Sequence, residues 1–284
     1  MRIDAHHHVW DLNVRDQPWT MNLPPLRRSF TLAELQPLLV DARIDGTILV
    51  QTVTVADETP EMLELAAAHD EVSGVVGWVD LTANDVDERL AGLRDLPGAA
   101  FLVGIRHQVQ EEPDPHWLTR GDVLQGLRAV GAARLAFDLI VTREQLAAAA
   151  TAAAAVPELR FVLDHAGNPS IATSEFARWS RDISALAALP NVAVKLSGLV
   201  TNALANWTVE DLRPYAEHVL STFGPDRVMF GSDWPVCTLQ ASYGQVVEVS
   251  ELLIENLSES EQAGVFGDNA IDWYGLDQLR TSVA

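Results

Sequence analysis

What most constrains the fold of this chain is a rhythm. Short runs of strand character recur eight times along its 284 residues, separated by stretches of helical pattern. The runs begin near Arg2, Gly46, Val75, Leu102, Arg134, Arg160, Val192 and Arg227, roughly 30 residues apart, the size of one strand–helix–strand unit. Several are nearly continuous apolar stretches, such as Thr47-Ile48-Leu49-Val50 and Phe161-Val162-Leu163. Strands read that way when both faces are covered, as in a parallel sheet. Eight such units predict a closed (β/α)8 barrel, a TIM barrel, with residues 1–284 forming a single domain. An open doubly wound sheet would call for a glycine-rich phosphate loop after the first strand, and the sequence has none there.

Helix punctuation agrees with this reading. Thr31 with Glu34, Thr142 with Gln145, and Ser258 with Glu261 each fit a capping box. Pro60 sits where a first-turn proline belongs. Gly131, Gly224 and Gly267 fall where helices are expected to stop. Pro37 conflicts with its helical surroundings and predicts a kink.

Composition narrows the partners. With 48% apolar and 21% charged residues, the chain can bury a large core. Its formal net charge of −21 opposes nonspecific binding to nucleic acid or to an anionic membrane, since both are polyanions. No apolar run approaches the roughly 20 residues of a membrane span, and the Ala-rich segment 146–156 reads as a helix. The start, Met1-Arg2-Ile3-Asp4, lacks the apolar core of a signal peptide. The single cysteine, Cys237, can form no intramolecular disulfide, which predicts a reducing, cytoplasmic setting. The expected partner is a small molecule, and a homo-oligomer is left open.

In a barrel, functional side chains come from the C-terminal ends of the strands and the loops after them. The unusual polar residues fall there. The first strand ends Asp4-Ala5-His6-His7-His8. Period-two alternation puts Asp4, His6 and His8 inside the barrel and Ile3, Ala5 and His7 toward the helices. Two imidazoles at i and i+2 can grip one metal ion. His165 closes the sixth strand, with Gly167 and Pro169 marking its loop. Asp233 follows the eighth strand and shares the inward face with Gly231; facing His6 and His8, it is a candidate metal ligand, general base, or both.

Weaker candidates complete the set. Lys195 and Ser197 alternate with Val194 and Leu196 and should face inward, and a buried lysine needs a partner. Arg106 is expected inward and His107 outward at the end of the fourth strand, with either able to line the site if the strand end bends. Asp138 ends the fifth strand, where it could orient a partner or contact substrate hydroxyls. Trp10, Trp19, Trp78, Trp117 and Trp234 lie at or beyond strand ends and are candidates for a pocket wall. The long segments from Val9 to Phe30 and from Gln108 to Trp117 are candidate rim loops. Cys237 lies near Asp233, but a lone cysteine is expected to be inert.

The ordered set Asp4-x-His6-x-His8, Gly104-Ile-Arg-His107, Leu163-Asp-His-x-Gly167, Lys195-Leu-Ser-Gly198 and Phe230-Gly-Ser-Asp-Trp-Pro235 resembles the amidohydrolase superfamily. Within it, the set looks closest to the metal-dependent barrel hydrolases that open sugar-acid lactones, and the resemblance extends to about Trp273-Tyr274. It implies hydrolysis of a lactone of the L-fucono or L-rhamnono type by an activated water. It also implies that His6 and His8 match the first-strand metal pair and that Asp233 matches the catalytic aspartate. His165 matches a histidine that in relatives either binds metal or acts on the substrate. Arg106, His107, Lys195, Asp138 and Trp78 are the expected substrate contacts. The metal set is His6, His8, His165 and Asp233, for one divalent ion, zinc first, with metal-independent turnover as the alternative.

Two positions depart from the wider pattern. Asp138 stands where many relatives carry a ligand histidine, and Arg106 and His107 stand in place of a bridging lysine or glutamate, so a two-metal site is not expected. Two other functions compete with lactone hydrolysis: hydrolysis or decarboxylation of a pyrone or aromatic carboxylate, and non-catalytic binding on a retained barrel.

Overall fold

In the computed structural model, which describes residues 1–173 and 175–276, the apolar runs form eight parallel strands. They are β1 Ile3–His7, β2 Gly46–Val50, β3 Val72–Gly77, β4 Leu102–His107, β5 Ala136–Leu139, β6 Phe161–Leu163, β7 Val192–Leu196 and β8 Val228–Phe230. Each pairs with the next in chain order, as in a barrel wound one βα unit at a time. The intervening helices include α1 Leu32–Ala42, α2 Glu58–Ala68, α3 Val86–Arg94, α4 Gly121–Ala132, α5 Leu146–Ala155, α6 Phe176–Ala187, α7 Val209–Phe223 and α8 Tyr243–Leu253. Two short helices follow, α9 Glu259–Ala263 and α10 Asn269–Tyr274. No helix among the described residues is long and apolar enough to cross a membrane.

Local expectations fare unevenly. The Thr142–Gln145 and Ser258–Glu261 capping boxes form. The Thr31–Glu34 box does not form: the Glu34 N–H donates to the Thr31 carbonyl (3.1 Å), and the Glu34 side chain pairs with Arg28 at 2.8 Å. α1 runs on through Pro37, at the cost of one helical hydrogen bond. β3 begins at Val72 rather than near Val75. Arg134 does not open β5: it takes a left-handed conformation (φ 56°) after α4, which runs through Gly131 to Ala132.

Two apolar layers hold the barrel. Outward side chains such as Leu49, Ile105, Phe137, Phe161 and Phe230 join the helices in the larger core. Inside, Ile3, Ala5, Ile48, Val50, Val76, Val162 and Met229 form a second cluster, joined by Ala270, Tyr274 and Leu276 from the C-terminal segment. At the strands' C-terminal end the ring closes through the site itself. Asp233 N–H donates to the His6 carbonyl (2.8 Å), and His8 N–H donates to the Trp234 carbonyl (2.7 Å).

Candidate active site

The first strand does not keep strict alternation. Asp4 is level with Thr47 and His7 with Leu49, so three steps on β1 span two on β2. This is a β-bulge, and one extra residue switches the facing of everything beyond it. Ile3 and Ala5 therefore point into the barrel, and so do His6 and His8. The expectation that Asp4 joins them inside is corrected. Its carboxylate accepts from the backbone N–H of His6 (3.1 Å) and Ser232 (2.8 Å) and from the hydroxyl of Tyr243 on α8 (3.0 Å). Asp4 is the clasp between β1, the turn after β8 and the helix layer, and burial raises its pKa to about 6.

Past the bulge, the Nε2 atoms of His6 and His8 lie 3.1 Å apart. The His8 Nδ1 lies 2.7 Å from the Val50 carbonyl, an acceptor that fixes the proton on Nδ1 and leaves the Nε2 lone pair free. Gly231 lets β8 pass this pair, since a Cβ there would fall 2.8 Å from the His6 Cβ. Asp233 follows in a left-handed conformation (φ 58°), which aims its carboxylate back over the barrel. Its Oδ1 lies 3.9 Å from His6 Nε2, 3.6 Å from His8 Nε2 and 3.9 Å from His165 Nε2.

His165 reaches this cluster by a similar device. Val162 faces inward, so alternation places Asp164 inside and His165 out. The backbone instead turns left-handed at His165 (φ 53°) and Ala166 (φ 49°) and brings the imidazole inward. The Ser197 hydroxyl holds its Nδ1 at 2.9 Å. Such backbone costs on the order of 1–3 kcal/mol per residue and persists where surrounding packing enforces it. Trp179 does so here, donating to the Ala166 carbonyl at 2.8 Å.

Beneath the histidines lies a layer of buried charge. Lys195 Nζ is 2.5 Å from Asp138, 3.0 Å from Asp164 and 3.0 Å from His6 Nδ1. Arg106 donates to Asp164 (3.0 Å), and its other nitrogens are taken up by the Gln51 side chain and carbonyl. The Tyr274 hydroxyl donates to Asp138 at 2.8 Å from below. Two cations and two carboxylates compensate one another, as burial demands. Burial raises Asp164, yet the charge of Lys195, the His6 ring nitrogen 3.2 Å away and the charge of Arg106 outweigh it and hold its pKa well below the usual range. Burial dominates at the other groups. It lowers His6 and His165, lowers His8 to about 3, and raises Asp233 to about 6, against the pull of His165 and Arg106. The histidines are therefore neutral, as metal ligation or proton acceptance requires. Burial, with Asp233 nearby, pushes the Cys237 thiol well above its ordinary value, so no thiolate nucleophile is available.

Above this floor opens a cavity of about 400 Å³. His8, Arg106, His165 and Asp233 line its base. Trp19 and Leu23 come from the 9–30 segment, and Gln108, Gln110 and Glu111 from the 108–117 segment, so both candidate rim loops border the site. Lys195 and Asp138 lie below the cavity, fully buried. His107 and Trp78 are not brought to it. His107 stacks on Trp117 (4.3 Å), faces Glu112 at 2.7 Å and accepts from Trp78 Nε1 at 3.1 Å. Of the five candidate wall tryptophans, Trp19 lines this cavity.

The amidohydrolase family model matches residues 3–276. The chain belongs to the amidohydrolase family. It is similar to the L-fucono-1,5-lactonase of Burkholderia ambifaria, 36% identical over 282 residues that cover 98% of this chain and 96% of the relative. The L-fucono-1,5-lactonase of Burkholderia multivorans is 37% identical over 293 residues, covering 98% and 97%. A crystal structure of an amidohydrolase from Burkholderia multivorans with bound zinc superposes with a TM-score of 0.90 at 37% identity, covering 97% of this chain and 99% of that one.

Within this family the group to test is a metal ion, and the donor set fits one. His6, His165 and Asp233 offer ligand atoms within 4.8 Å of one another. The His8 nitrogen joins His6 at 3.1 Å, a separation suited to two imidazoles sharing an ion. The backbone and hydroxyl partners of His8 and His165 fix both rings from outside, as partners of metal-ligating histidines do. Sequence reasoning missed Asp164 and Gln51, which orient His6 and Arg106. Asp164 had a signal, since Val162 and Asp164 share the inward face; Gln51 carries none, because a glutamine beyond a strand end is ordinary.

Proposed function

We propose that this protein hydrolyses a sugar-acid lactone, with Asp233 as general base and a zinc ion held by His6, His8, His165 and Asp233. One observation carries the reading: a buried carboxylate, its pKa raised to about 6, lies within 4 Å of three imidazole nitrogens at the floor of a cavity whose lining mixes apolar side chains with carboxamides and hydroxyls. A base with a pKa just below the working pH is ionised and still a competent proton acceptor. Imidazole and carboxylate donors suit zinc, and a similar protein from Burkholderia multivorans holds zinc.

Lactone hydrolysis needs a water nucleophile, charge stabilisation on the carbonyl oxygen, and a proton for the departing ring oxygen. Asp233 accepts a proton from water as the new C–O bond forms. It delivers that proton to the ring oxygen as the old C–O bond breaks, leaving a hydroxy acid. The bound ion supplies Lewis acidity to the carbonyl or to the water. Arg106 adds fixed positive potential from below, and His165, braced by Ser197, holds the carbonyl side. Gln108, Gln110, Asn168, Asn202 and Thr201 line the upper cavity, where they can pair with the hydroxyls of a neutral polyol. A pyrone or aromatic carboxylate would call for a spare cation. Arg106 is the cation on this lining, and its nitrogens are already committed to Gln51 and Asp164.

The test is acid release, read with a pH indicator, against a panel of sugar-acid lactones and pyrone carboxylates. The protein is assayed as purified, after chelation, and with zinc or manganese restored. Turnover of one or two lactones, lost on chelation and regained with zinc, is expected. Turnover of pyrone carboxylates alone would overturn the reading.

A further inference from the structure

A neutral imidazole has one N–H and one lone pair, and the partners of His6 ask for two different tautomers. Two of them meet at Nδ1. Lys195 Nζ lies 3.0 Å away and can only donate, so it needs a lone pair there. Asp164 Oδ1 lies 3.2 Å away and, held ionised, can only accept, so it needs a proton there. At Nε2, His6 faces the His8 Nε2 at 3.1 Å, a distance that serves a hydrogen bond as well as a shared ion.

His8 decides the direction of that hydrogen bond. Its Nδ1–H is committed to the Val50 carbonyl (2.7 Å), so its Nε2 is an acceptor. A bond between the two rings therefore takes its proton from His6 Nε2, and His6 Nδ1 is left as a lone pair for Lys195. In this arrangement Asp164 is only half served. Its Oδ2 accepts from Arg106 Nη1 at 3.0 Å, the same nitrogen that stands off His6 Nε2 at 3.4 Å. Its Oδ1 is 3.0 Å from Lys195 Nζ, yet it is buried and accepts no hydrogen bond among the described residues. A buried carboxylate oxygen without a donor is costly. Ligation of an ion by His6 Nε2 requires the opposite tautomer, with the lone pair at Nε2 and the proton at Nδ1. That proton points at the one oxygen in the layer that lacks a donor.

The lysine itself stays in place, because Asp138 holds it at 2.5 Å. His6, Asp138 and Asp164 are close enough to enclose a cation, and the Lys195 ammonium fills that role.

We infer that Lys195 and Asp164 form a two-position seat for the single ring proton of His6. Lys195 favours the tautomer in which His6 donates to His8, and Asp164 favours the tautomer in which Nε2 binds the ion. On ion entry the Nε2 proton is released to cavity water and one proton is taken up at Nδ1, so the ring stays neutral. Both are positioning residues, since neither lines the cavity. The inference rests on the zinc reading of the site and deepens it: without the ion the two imidazoles close on each other, and Asp164 supplies the acceptor that lets them part.

The experiment labels the histidines with heavy nitrogen and reads His6 by long-range proton–nitrogen correlation NMR, in the chelated protein and after zinc is added. A His6→Asn spectrum identifies the His6 signals. In the chelated protein Nε2 is expected to be protonated and Nδ1 to be a bare acceptor. Zinc should reverse this, leaving Nδ1 protonated and Nε2 shifted by the metal. Nδ1 protonated before zinc is added, or bare once zinc is bound, overturns the inference. If zinc leaves the His6 nitrogens unmoved, both this inference and the placing of zinc on His6 fall, and lactone hydrolysis stands or falls by the acid-release assay. Competition with a chromogenic chelator gives a second readout. Asp164→Asn should weaken zinc binding about 10- to 100-fold, the usual worth of a partner behind a ligand histidine. Asp138→Asn removes a like charge that does not pair with His6, and should change zinc binding less than about 3-fold. Equal losses would show that Asp164 acts through charge alone and overturn its role. If either variant fails to fold, the two spectra of the parent still decide.

Discussion

Asp233 carries the sharpest consequences at the scale of single residues. Its burial among three neutral imidazoles raises its pKa to about 6, and it works as a base only when ionised. With zinc bound, which favours the ionised form, the rate is therefore expected to be full at neutral pH and to fall only at or below about pH 6, which a pH profile of kcat/KM reads directly; a fall above pH 6 would count against Asp233 as the base. Replacing it in Asp233→Asn should lower kcat by about 10²- to 10⁴-fold, the usual worth of a positioned base. The same shift opposes folding. A carboxyl whose folded pKa lies above its unfolded value stabilises the fold fully below the unfolded pKa and loses that contribution as pH rises through the folded one. Chelated Asp233→Asn should therefore melt higher than the chelated parent at pH 8, while the two converge near pH 4. A lower melting temperature for Asp233→Asn at pH 8 would show that the carboxylate is better solvated than its burial implies.

Among the elements, the turns after β6 and β8 are where ordinary strand geometry is abandoned. His165, Ala166 and Asp233 all adopt left-handed backbone, and each departure re-aims a group that alternation would place elsewhere or leave beyond the strand. The β7 loop is fitted to the first of these turns. Gly198 has φ 68°, and a Cβ there would lie 2.7 Å from the His165 Cβ and 3.1 Å from its Nδ1. Gly198→Ala should therefore displace the imidazole while leaving the barrel folded. A misplacement of about 1 Å at a reacting group can cost around 100-fold, so a loss of about 10- to 100-fold in kcat/KM is expected, with the far-ultraviolet circular dichroism spectrum retained. An unchanged rate would mean that His165 needs no fixed orientation. The bulge in β1 belongs to the same scale, since one inserted residue lets Ala5 fill the barrel and His6 enter it as well.

For the whole molecule, the barrel is stacked in layers along its axis. The apolar cluster capped by Tyr274 lies lowest, the compensated charges of Lys195, Arg106, Asp138 and Asp164 above it, and the histidines with Asp233 at the mouth. A metal bound at the mouth ties β1, the β6 turn and the β8 turn together, and so stabilises the fold by binding the native state alone. An ion at 100 times its dissociation constant contributes about 2.7 kcal/mol. For a chain of this size that corresponds to a rise in melting temperature of about 5 °C or more. Scanning calorimetry of the chelated protein with and without added zinc should show this rise, and His6→Ala should abolish it. An equal rise in His6→Ala would place the ion elsewhere.

The sequence by itself determined the barrel and the identity of its main strand-end groups. Apolar runs recurring at the spacing of a βα unit are a local pattern that survives being read one residue at a time, and His6, His8, His165 and Asp233 stand out because polar residues at the ends of buried strands are unusual. Tertiary structure decided what those groups face. The bulge that turns Asp4 outward to Tyr243 and Ser232, the left-handed turns that bring His165 and Asp233 over the barrel, and the stacking of His107 on Trp117, with Trp78 hydrogen-bonded to His107, all depend on the shape of neighbouring strands and helices. Partners such as Asp164 and Lys195 under His6 lie far from it in the chain. Period-two alternation describes a regular strand, and an active site is built where the strand stops being regular.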